Sequence, residues 1–176
     1  LISGAVHLEG AAGPRVTVAL VQWDDELPNR LGGVRTEVER LGAELAMYAA
    51  PRRDDAPVVR GSRGVVLNPE IGRSQADLDR AFAMAGRRAK NAVENLLRES
   101  QARTVTCDAV RGRFAFTNLA PGRYLVCLIA EVRVPDSGRM PRFETRYWWA
   151  DAILDDRDAA TAEFTGAGLT WRNMFP

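Results

Sequence analysis

The order of apolar and polar side chains divides the chain into strands toward both ends and helices in the middle. Residues 2–8 and 15–23 read as strands separated by the turn-forming stretch EGAAGP. In the second, Val16, Val18 and Leu20 share one face and Ala19, Val21 and Trp23 the other, because side chains alternate along a strand. Both faces are apolar, so both require cover. After DDELPNRLGG the period changes: Val34, Val38, Leu41, Leu45 and Tyr48 recur at spacings of four and three, the stripe of an amphipathic helix. Thr36 and Glu39 offer a capping box just inside its start, and Pro51 ends it. Glycine and proline breakers follow, with a short extended piece at GVVL. A second helix is predicted over 74–100, opened by Ser74 with Asp77 three residues on. Its stripe is Leu78, Phe82, Ala85, Ala89, Ala92, Val93, Leu96 and Leu97, and the alanines predict close approach to whatever it covers.

Extended structure resumes at Thr104. RGRFAFTNLAPGRYLVCLIAE, residues 111–131, then reads as two strands about a corner at 118–122. In its second strand Tyr124, Val126 and Leu128 face one way and Leu125, Cys127 and Ile129 the other. One face of such a strand meets an opposing sheet; the other is usually wetted, so an apolar outer face needs a cover. The helical excursion is the candidate. FETRYWWADAIL and TAEFTGAGLTW supply the last two strands. The expected fold is therefore mainly β, with seven strands in one domain over 1–176 and a helical insertion at 33–103 between the second and third strands.

Composition fits that reading: of 176 residues 46% are hydrophobic and 27% charged, the proportions of a globular chain that buries a core. The 24 basic and 23 acidic side chains give a net charge of +1, which lacks the broad positive field of a nucleic-acid binder. Only Lys90 is a lysine; the other basic residues are arginines, suited to bidentate contact with carboxylates or phosphates. The first residues contain no basic leader and no apolar run long enough to cross a membrane, and a signal segment is expected to have been removed.

Candidate chemistry is sparse. His7 is the lone histidine and reads as a strand residue at the surface, since a metal site needs clustered ligands and a triad needs an oriented nucleophile. Ser62 lacks the nucleophile-elbow spacing. Asp155, Asp156 and Asp158, with Glu163 nearby, lack the glycine and ligand alternation of a calcium loop and read as a solvated turn, as do Asp24, Asp25 and Glu26. No catalytic residue, metal ligand or cofactor is assigned. Counting hairpins puts one strand between those of Cys107 and Cys127, a separation of roughly 9.5 Å. A disulfide needs Cα atoms within about 7 Å, so two buried thiols are expected, a bond requiring a different register. The aromatic residues are the strongest remaining signal. Phe143, Tyr147, Trp148 and Trp149, with Arg142 beside them and Trp171 and Phe175 near the end, form a candidate interface, since Trp, Tyr and Arg dominate contact energies. Trp148 and Trp149 face opposite ways, and burial by the chain's own helices or by a partner both remain open.

One set of residues carries a resemblance. Thr106 and Asp108, Gly112, Phe114 and Phe116, Leu119, Pro121 and Gly122, then Tyr124 follow the pattern of the carboxypeptidase regulatory-like family, and the resemblance extends over about 1–24 and 104–171. It implies a transthyretin-like (prealbumin-like) seven-stranded β-sandwich. It also implies a non-catalytic module of secreted or periplasmic proteins, and the zinc motif of the carboxypeptidases themselves is not in this chain. The expectation is a periplasmic or extracellular, non-enzymatic interaction module. Its partners would be protein subunits, as in an accessory subunit of a respiratory or photosynthetic membrane complex, with peripheral membrane contact left open. A subunit of a homopolymeric filament and a carbohydrate- or peptide-binding module are the alternatives.

Overall fold

A computed structural model describes residues 1–8, 11–13, 15–49, 75–134, 142–155, 159–166 and 168–174. In chain order the elements are β1 (Ile2–His7), β2 (Arg15–Gln22), α1 (Leu27–Ala49), α2 (Gln75–Glu99), β3 (Arg103–Asp108), β4 (Gly112–Phe116), β5 (Gly122–Val134), β6 (Arg142–Leu154), β7 (Ala160–Thr165) and β8 (Leu169–Thr170), closed by a 3-10 turn over Trp171–Asn173. The strands form a three-stranded sheet, β4-β1-β7, and a five-stranded sheet, β3-β2-β5-β6-β8. All pairings are antiparallel except that of β1 with β7. The fold is mainly β, in two sheets, with two helices.

Eight strands therefore stand among the described residues, where seven were expected. The last apolar stretch does not run as one strand. Gly166 and Gly168 take φ of 75° and 64°, a left-handed conformation open to glycine, and bend the chain so that β7 joins β1 while β8 crosses to β6.

Alternation along the strands makes two cores, one on each face of the larger sheet. Between the sheets lie Ile2, Val6, Val16, Val18, Leu20, Phe114, Phe116, Tyr124, Val126, Leu128, Trp148 and Phe164. The Phe114 ring meets Phe116 edge-on at 6.0 Å and stacks on Phe164 at 5.9 Å. On the outer face Ala19, Val21, Leu125, Cys127 and Tyr147 pack under Val34, Val38, Leu41 and Leu45 of α1 and Ala85, Ala89, Val93 and Leu96 of α2. The apolar outer face of β5 is thus covered by the helices.

α1 begins at Leu27, six residues before the predicted start, and the reason is Asp24. Its carboxylate accepts the backbone N–H of Glu26 at 3.1 Å and of Leu27 at 2.6 Å, capping the first turn, and Pro28 tolerates a first-turn position whose N–H has no helical partner. The predicted capping box is consequently inside the helix: the Thr36 hydroxyl donates to the Gly32 carbonyl one turn back, at 3.0 Å. α2 runs one residue short of the prediction at its far end, and Ser74 lies outside the described residues. Arg88 of α2 reaches Glu44 at 3.2 Å and Glu37 at 3.5 Å on α1, and Arg40 joins the same two carboxylates. No described helix is long and apolar enough to cross a membrane.

The residues that carry the resemblance also shape the corners of the fold. Asp108 accepts the N–H groups of Val110 and Arg111 at 2.8 and 2.9 Å, and these bonds hold its carboxyl below the usual range. Gly122 has a φ of 151° in the corner beside Pro121, as expected of a glycine position. Gly112 does not need positive φ; a Cβ there would lie 2.0 Å from the Asp108 carbonyl oxygen, so close approach demands the glycine. The buried Tyr124 donates its hydroxyl to the Ala120 carbonyl at 2.7 Å, pinning the corner, and Leu119 packs against the core between the sheets.

Candidate functional site

The helices do not cover the whole outer face of the large sheet. Side chains on that face alternate along β5 as Arg123, Leu125, Cys127 and Ile129, and along β6 as Phe143, Tyr147, Trp149, Asp151 and Ile153. The register sets Cys127 opposite Trp149, Leu125 opposite Asp151 and Arg123 opposite Ile153. At the start of α1 Leu27 is buried against the sheet, but a cleft opens beside it. Pro28, Leu31, Gly32 and Arg35 recur at three- and four-residue intervals and form one wall, facing Trp23, Arg123, Leu125, Trp149, Ala150 and Asp151 across a cleft of about 410 Å³.

The chain path explains the cleft. Trp23 follows β2, and its N–H donates to the Arg123 carbonyl at 2.8 Å, extending the β2–β5 pairing by one step. Asp24 then turns the chain into α1 and also holds Arg30 at 2.6 Å, an ion pair that keeps its carboxyl low. Arg123 lies 3.7 Å over the Trp23 ring and 2.7 Å from an Asp151 oxygen, so cation–π contact and ion pairing orient one guanidinium together. The floor is apolar and the rim charged. Ile153, 66% exposed, extends the apolar surface along the same face of β6.

The sequence-predicted aromatic group is not gathered at one place. Trp148 is in the core between the sheets, its indole N–H donating to the Thr165 carbonyl at 3.1 Å. Tyr147 and Trp171 are buried under the helices. Burial by the chain's own elements accounts for these three. Trp149 is half-buried and lines the cleft, whereas Phe143 is half-exposed at the other end of β6. Arg142 opens β6 opposite Val134, its side chain outside the described residues, as are Phe175, Ser62, Asp156 and Asp158. His7 is exposed and its Nδ1 meets the Val110 carbonyl. Both cysteines are free and buried on opposite faces of the large sheet, with β2 between their strands.

Of the residues lining the cleft, only Trp149 was among the candidate interface residues; Trp23, Leu31, Arg35 and Arg123 are among those that sequence reasoning did not single out. Trp23 carried a signal: it continues the apolar outer face of β2 one residue past the strand. No family model matches the chain, and neither curated proteins nor solved structures give a match. The molecule is defined by its own architecture, a two-sheet β protein with a helical cover and a tryptophan-lined cleft at the cover's edge.

Proposed function

We propose that this chain is a non-enzymatic protein-interaction module and that the cleft at the start of α1 is its contact site. In this reading the two sheets form a prealbumin-like β-sandwich carrying a helical insertion. The protein serves as an accessory subunit of a larger envelope or membrane-protein complex, in the periplasm or outside the cell. One observation carries the proposal: Trp23, Trp149, Arg35 and Arg123 converge on an apolar-floored cleft beside the exposed Ile153. Tryptophan and arginine around a desolvated pocket are the side chains that contribute most at protein contacts. The experiment is gentle co-purification of the tagged chain from its source membranes, with native mass spectrometry to establish stoichiometry. A stoichiometric protein partner is expected, lost on Gly32→Leu, which fills the cleft, and on Ile153→Asp. A chain recovered alone, or a partner indifferent to both changes, sinks the proposal.

The pairing of two tryptophans in one cleft also favours a second reading, a carbohydrate-binding module, because indole faces stack on sugar rings. Glycan binding lost on Trp149→Ala would establish it. Trp148→Ala is no test, because that ring belongs to the core between the sheets.

A further inference from the structure

We draw no further inference here: the strongest candidate, the groove of about 570 Å³ between α2 and the outer face of β2 and β5, carries nothing because its Lys90 and Glu131 already pair at 3.5 Å and nothing in the structure shows what would occupy it.

Discussion

Cys127 occupies the middle of β5 with no exposed surface, and burial alone holds its thiol far above the ordinary cysteine range. Burial likewise raises Cys107, and raises Tyr147 with smaller contributions from Cys127 and Glu94. In the unfolded chain the thiols ionise near pH 8.5, whereas the native state keeps its protons well beyond that. The native state then binds more protons than the unfolded state, so stability falls as pH rises. The contribution is fully present below about pH 8.5 and is lost as pH climbs toward the native values, by up to about 1.4 kcal/mol per pH unit for each fully protonated native thiol. Urea midpoints between pH 7.5 and 10 should show that decline, and Cys127→Ala should flatten it, leaving the share of Cys107. A flat profile in the unmodified protein would contradict the buried placement. Cys127 was legible in the sequence because alternation along a strand needs no knowledge of the partner. The reason for Gly112 was not, because it depends on where the Asp108 carbonyl turns, which only the folded corner fixes.

At the scale of elements, α2 shows how a stripe read from sequence becomes packing. Ala85, Ala89, Val93 and Leu96 are buried in helical sequence, with Ala89 and Val93 fully so, and the small side chains bring the helix close to the large sheet. Ala89→Leu should destabilise by about 1–3 kcal/mol, because added methylenes in a filled core force side chains or backbone aside. Ala83→Leu on the exposed face of the same helix should stay within about 0.5 kcal/mol of the parent. Chemical denaturation of the two variants checks this, and equal effects would mean that α2 does not lie closely on the sheet. The stripe of α2 was readable because its period is unbroken. The start of α1 was not: DDELPNRLGG offers little apolar period, and the first turn is instead set by the Asp24 carboxylate and Pro28. The final stretch reads in the sequence as one strand because its apolar residues continue through two glycines, and those glycines redirect the backbone.

Across the whole molecule, the five-stranded sheet is shared by two cores. Neighbouring residues go to opposite sides: Val18 and Ala19, Val126 and Cys127, Tyr147 and Trp148. That the outer face needed a cover followed from its sequence. The cleft did not, since it depends on which residues of α1, β2, β5 and β6 the fold brings side by side, which the period of any one element does not encode. Sharing has a consequence for cooperativity. If the helices left the sheet, Ala19, Val21, Leu125, Cys127 and Tyr147 would lose their cover together, while Trp148 and its neighbours kept theirs. Such a half-stripped sheet would expose a contiguous apolar face at roughly 25 cal/mol per Å², so the two cores are expected to unfold as one. Trp148 reports the core between the sheets and Trp171 the core beneath the helices. With 19F-labelled tryptophan assigned through Trp148→Phe and Trp171→Phe, the native resonances of both rings should disappear at the same urea concentration. Loss of the Trp171 signal before that of Trp148 would show the helical cover to be a separate unit, and the cleft at its edge a seam that opens independently of the sheets.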